Sequence, residues 1–138
     1  MTKPVLPFED PAATRPYYRL LGIRAEPADV LGTSTVCLDS RPDLENSRGE
    51  VHGGVVASLL DAAMGTATRT LLRPGEATTT ASLTVNYLQP GKGTLTACGK
   101  VMRAGRVLVS VEASVTDSAG TLVAHAVGTM RTISAKAR

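Results

Sequence analysis

A carboxylate set in the middle of an apolar helix is the feature that most constrains this chain. Residues 46–65 read Asn-Ser-Arg-Gly-Glu-Val-His-Gly-Gly-Val-Val-Ala-Ser-Leu-Leu-Asp-Ala-Ala-Met-Gly. A histidine and two glycines open a long apolar run, and Asp61 interrupts it. Burying an unpaired carboxylate costs several kcal/mol or more unless it is compensated or protonated. A chain that keeps one in its most helical segment has a use for it, as an acid, a base or a nucleophile; the alternative is a structural carboxylate satisfied by a hydroxyl such as Ser58.

The spacing predicts a helix over about residues 53–71, ended by Arg73-Pro74-Gly75. At 100° per residue, Val55, Val56, Leu59, Leu60, Ala63 and Ala67 share one broad side, while Gly54, Ala57, Ser58, Asp61, Gly65 and Thr68 share the other. The first is a core face. The second is lined by small residues that leave room for something to approach Asp61.

Upstream, residues 1–16 read as an irregular lead-in and residues 17–138 as one domain. Pro16 can open a short helix, Tyr17–Leu21, that stops at Gly22, and a strand is expected over about Val30–Leu38. Downstream, the period becomes two. Ala81, Leu83, Val85 and Tyr87 alternate with Thr80, Ser82, Thr84 and Asn86, and the same pattern recurs over 94–103, 107–115 and 121–133. The expected architecture is α+β: a four-strand antiparallel meander, joined by an earlier strand, wrapped around one long central helix.

Composition narrows the partners. No Trp and one Phe leave little for a nucleic-acid stacking platform. The net charge of +3 is dispersed and suits a small anionic ligand. No secretory leader is recognisable and no apolar run reaches membrane-spanning length, so a cytoplasmic protein with no membrane partner is expected. Cys37 and Cys98 are expected to be buried free thiols. The two histidines, His52 and His125, form no cluster at metal-ligand spacing, so no metal site is expected, and no serine lies in a Gly-x-Ser-x-Gly elbow.

The strand, the His-Gly-Gly helix with its mid-helix Asp, and the antiparallel strands that follow resemble the hotdog fold. Asn46, His52-Gly53-Gly54 and Asp61, with the later Asn86-Tyr87-Leu88-Gln89-Pro90 and Gly105-Arg106, resemble the PaaI-type acyl-CoA thioesterases over about residues 17–133. The resemblance implies hydrolysis of a small or aromatic acyl-CoA with no cofactor beyond the CoA of the substrate. It implies that Asp61 attacks the thioester carbonyl or deprotonates the attacking water, and that the Gly53 N–H polarises the thioester oxygen. It further implies that Asn46 holds the thioester or the water, that His52 orients the site, and that Thr80 stands where the family commonly has a water-positioning Ser. For the His52 imidazole alone, a helix cap serves as well as a chemical role.

These assignments agree with elementary chemistry. A helix N-terminus offers free N–H donors and partial positive charge to a developing oxyanion. A thioester has a good leaving group, so one carboxylate is sufficient. Gly53 and Asp61 are roughly 12 Å apart along a helix at ~1.5 Å per residue. An Asp side chain cannot span that distance, so one carbonyl served by both requires two copies of the helix. A homodimer with shared sites follows, Asn46, His52 and Gly53 from one subunit meeting Asp61 and Thr80 of the other; the resemblance adds a dimer of dimers. Lys100, Arg103 and Arg106 flank one hairpin, where they either meet CoA phosphates or solvate the hairpin. The competing functions are a hotdog acyl-thioester dehydratase or hydratase and a non-catalytic acyl-CoA-binding module.

Overall fold

The structure is a computed structural model and describes residues 15–134. Most of the lead-in expected over residues 1–16 lies outside the described residues, and Pro16 already begins α1 (Pro16–Leu21). The order continues with β1 (Arg24–Ala25), β2 (Thr33–Asp39), a 3-10 turn at Pro42–Leu44, α2 (Gly53–Arg69), β3 (Glu76–Tyr87), β4 (Thr94–Ala104), β5 (Leu108–Thr116) and β6 (Leu122–Ser134). The six strands form one antiparallel sheet in the order β1-β2-β4-β5-β6-β3, which curls around α2.

The core is aliphatic, as the shortage of aromatics requires. Leu59, Leu60, Ala62, Ala63 and Met64 of α2 are wholly buried against Val36, Leu38, Leu95, Ala97 and Val115 of the sheet. Helix and sheet meet closely at Gly99, where an added Cβ would lie 2.5 Å from the Ala63 carbonyl oxygen. Only glycine permits that approach. The open face expected on α2 is narrower than its periodicity suggests. Gly65 and Thr68 are buried with the core residues, because the sheet curls around α2 and Met130 of β6 and the Arg69 side chain lie against Gly65.

Three further expectations are corrected. Only β4, β5 and β6 form a meander; β3 pairs with β6 along its whole length, at the far edge. The connection over residues 88–93 crosses from the β3 edge back to β4. Leu88 and Gln89 donate to the Val123 carbonyl, and Val51 donates to the Gly91 carbonyl at 2.9 Å, which fastens the crossing to the loop before α2. The thiols are not buried: Cys98 is exposed and Cys37 half-buried. Both take the outward positions of their strands, alternating with Val36, Leu38, Ala97 and Gly99.

The third correction concerns β3. Thr80 pairs with Met130 and Ser82 with Thr129, so Ala81 is an extra residue that opens a β-bulge. Simple alternation puts Thr80 on the face opposite Leu83, Val85 and Tyr87. The bulge shifts the parity, and Thr80 faces inward together with those three residues. A second bulge at Met102 places Arg103 opposite Ser110, on the outward face with Lys100.

Candidate active site

The site is assembled around α2. The loop before the helix is closed by a bridge between Glu45 and Val51 and by Asn46. Asn46 Oδ1 accepts from the backbone N–H groups of Arg48 at 2.9 Å and Glu50 at 3.2 Å. The oxygen is thus spent on the loop, and the NH₂ group is what Asn46 offers to a ligand. The His52 N–H then donates to the Leu44 carbonyl, which fixes the entry to the helix.

His52 is the N-cap of α2, its Nδ1 accepting the Gly54 N–H at 2.9 Å. The neighbouring Gly53 N–H, first of the helix, has no partner among the described residues. It carries the positive end of the helix dipole outward. Tyr87, arriving from the end of β3, donates from its hydroxyl to the Gly53 carbonyl at 2.7 Å and lays its ring against the glycine. That contact pins the first turn to the edge strand. The sequence reading did not single out Tyr87 as a site residue; the signal available was its inward position in the β3 row.

Two turns further on, Asp61 is half-buried, and Thr80 donates to its Oδ1 at 2.6 Å. This is the short O–H···O⁻ geometry of a charge-assisted bond, and it leaves Oδ2 free for other work. Beyond Asp61, the Arg69 guanidinium folds back over Gly65, to 3.4 Å from where that glycine's Cβ would stand, and donates to Thr66 at 2.9 Å. Burial holds Arg69 below its ordinary pKa, while the adjacent Tyr18 and the charge of Asp61 act the other way.

The structure therefore brings the five predicted residues into two groups. Asn46, His52 and Gly53 share the loop and first turn, and Asp61 and Thr80 share the middle of the helix; one uninterrupted helix separates the groups within a chain. The predicted phosphate contacts divide as well. Lys100 faces Glu112 across β4 and β5, and Arg103 lies on the same outer surface. Arg106, in the turn between those strands, instead lines a cavity of about 390 Å³ with Arg73, Glu76 and Thr132. Among the described residues no three His, Cys, Asp or Glu side chains gather as metal ligands, and no helix is long and apolar enough to cross a membrane.

Comparison with known proteins adds a family. The sequence model of the thioesterase superfamily matches residues 48–124, more than half of the chain. A provisionally named esterase of Halobacterium salinarum is 41% identical over 75 residues, 53% of this chain and 50% of that protein; the chain thus spans about half the length of that relative. The E. coli PaaI protein from the phenylacetic acid degradation operon superposes with a TM-score of 0.80 at 25% identity, covering 88% of this chain and 86% of that one. A Bacillus halodurans protein solved with CoA superposes with a TM-score of 0.77 at 29% identity, over 85% and 75% of the two chains. The fold held in common is the hotdog fold.

Proposed function

We propose that this chain, which belongs to the thioesterase superfamily as a PaaI-type hotdog protein, hydrolyses the thioester of a small or aromatic acyl-CoA at a site shared between two subunits. The observation that carries this reading is the unpartnered Gly53 N–H at the start of the same helix that holds the Asp61 carboxylate. Asp61 takes a proton from water as the water oxygen adds to the thioester carbonyl, or adds to that carbonyl itself. The oxyanion so formed is held by the Gly53 N–H. As the carbonyl reforms, the C–S bond breaks and CoA leaves as its thiolate, to be protonated. In the nucleophilic variant, water then cleaves the acyl-Asp61 anhydride to the same acid.

Thr80 fixes Asp61 through one oxygen, which favours either role for the other oxygen. The Asn46 NH₂ is a donor suited to the thioester or the water. The His52 ring nitrogen that would serve as a base is occupied by Gly54, which disfavours a dehydratase or hydratase moving protons through that imidazole. No resident cofactor is required, CoA entering with the substrate.

Sharing follows from the length of the helix. Gly53 and Asp61 stand roughly 12 Å apart at ~1.5 Å per residue, so the Gly53 N–H of one subunit must meet Asp61 of the partner subunit. Pairing of dimers into a tetramer is the natural extension. Of the candidate phosphate contacts we favour Arg106, which shares its cavity with a second arginine, Arg73, over Lys100 and Arg103 on the outer surface of the sheet.

A thiol-release assay across a panel of acyl-CoAs tests the reading. Wild-type protein releases CoA, and Asp61→Asn lowers kcat/KM by about 10³-fold. Absence of thiol release from every substrate contradicts hydrolysis and favours a binding module. A variant within a few-fold of wild type removes Asp61 from the chemistry.

A further inference from the structure

The face of α2 around Asp61 makes no walls of its own on the N-terminal side. The positions one and two turns before Asp61 are Ala57, Ser58 and Gly54, all too small to bound a ligand. A wall there must come from another element, and α1 supplies one. The Tyr17 hydroxyl lies 2.7 Å from Ser58 Oγ. Ser58 already donates its single proton to the Gly54 carbonyl at 2.9 Å, so Tyr17 must be the donor in the pair. That directionality holds the Tyr17 ring across the turn of α2 that precedes Asp61. On the other side the Arg69 guanidinium over Gly65 closes the face.

The wall is firmly mounted. Gly22 ends α1 in the left-handed conformation at φ 81°, and the fully buried Ile23 follows it. Arg41 donates to the Leu20 carbonyl at 2.6 Å and to the Leu21 carbonyl at 3.0 Å, closing the helix's free end. Yet the Tyr17 side is left open: the residue is 54% exposed, although it is one of only four Phe and Tyr side chains in the chain. An aromatic ring tethered by its hydroxyl and more than half exposed is a surface for an apolar group.

We propose that Tyr17 determines acyl-group specificity, bounding the space into which the acyl chain extends from the carbonyl at Asp61. The inference rests on the thioesterase reading and deepens it. With the ring in place, the acyl group is limited to what fits between Tyr17 and Arg69; without it, the space extends past Ser58 as far as Tyr87, which lies against Gly53 at the start of α2.

The test measures kcat/KM for straight-chain acyl-CoAs from two to sixteen carbons in wild type, Tyr17→Phe and Tyr17→Ala. Tyr17→Ala raises the ratio of long-chain to short-chain kcat/KM by about tenfold, as expected when a pocket boundary is removed. Tyr17→Phe keeps the ring, loses only its tether, and shifts the ratio by less. A ratio in Tyr17→Ala within twofold of wild type overturns the inference, whatever happens to the overall rate, because a merely structural role moves all substrates together. Wild type that releases no thiol on any substrate overturns the thioesterase reading itself, and this inference with it.

Discussion

At 2.9 Å from the Gly54 N–H, His52 Nδ1 is an acceptor, so a neutral His52 carries its ring proton on Nε2. The same contact explains the second glycine of the motif. A Cβ at position 54 would meet Nδ1 at 3.1 Å and push the cap aside. The His-Gly-Gly stretch thus divides its tasks: His52 caps, Gly54 makes room for the cap, and Gly53 is left with a free donor. On this account His52 is a positioning residue. His52→Ala lowers unfolding stability by about 1 kcal/mol, whereas His52→Asn, itself a favoured N-cap, stays within about 0.5 kcal/mol of wild type. Thiol release follows the cap: the Asn variant keeps most of the wild-type kcat, and the Ala variant loses more. An Asn variant that is stable yet as inactive as the Ala variant would show that the imidazole acts chemically.

Elements were legible where their signals are local. The period of α2, the stop at Gly22 and the existence of β4, β5 and β6 can all be read from neighbouring residues. Facing was not legible where a bulge intervenes. Nothing in the run Thr79-Thr80-Ala81-Ser82 says that Ala81 is extra, because the bulge is fixed by pairing with Met130 and Thr129, about 50 positions away in sequence on β6. Thr80 therefore reads from alternation as outward, and only the fold turns it to Asp61. The same applies to Gly99, unremarkable in its strand until α2 is laid on it. Gly99→Ala forces its methyl into the Ala63 carbonyl, where neither partner is the movable end of a side chain. The expected cost is about 1–3 kcal/mol in denaturant unfolding. A loss under about 0.5 kcal/mol would mean that helix and sheet separate more easily than their packing implies.

Over the whole molecule, strand order was the part hidden from sequence. Adjacent strands usually pair, but β3 is carried to the far edge by the 88–93 crossing, and the contacts that hold it there, Val51 to Gly91 and Leu88 to Val123, join distant segments. The consequence is an asymmetric sheet. One edge, β1, is two residues long; the other, β3, runs for 12 residues and carries one charge, Glu76 at its start. Long edges without charges are templates for pairing with another copy. The candidate site was more legible than the topology, since Asn46, His52, Gly53 and Asp61 lie within 16 residues of sequence. Tyr17 was not legible as a site residue, because only the fold brings α1 to α2; for Tyr87 the alternation of β3 gave the face but not the contact with Gly53.

The central claim, one carbonyl served by Gly53 of one subunit and Asp61 of the other, is tested most directly by complementation between two inactive variants. Asp61→Asn removes the carboxylate. Gly53→Pro removes the N–H donor at the first position of the helix, where proline is well tolerated. His52, at φ −59° and ψ 139°, already has the extended conformation required before a proline. Each variant alone is inactive in thiol release. Mixed dimers combine Gly53 from the Asp61→Asn subunit with Asp61 from the Gly53→Pro subunit, restoring one complete site of the two. Random reassortment makes half of the dimers mixed, so the mixture recovers about a quarter of wild-type activity. No recovery in dimers verified by differential tagging to be mixed would contradict a shared site.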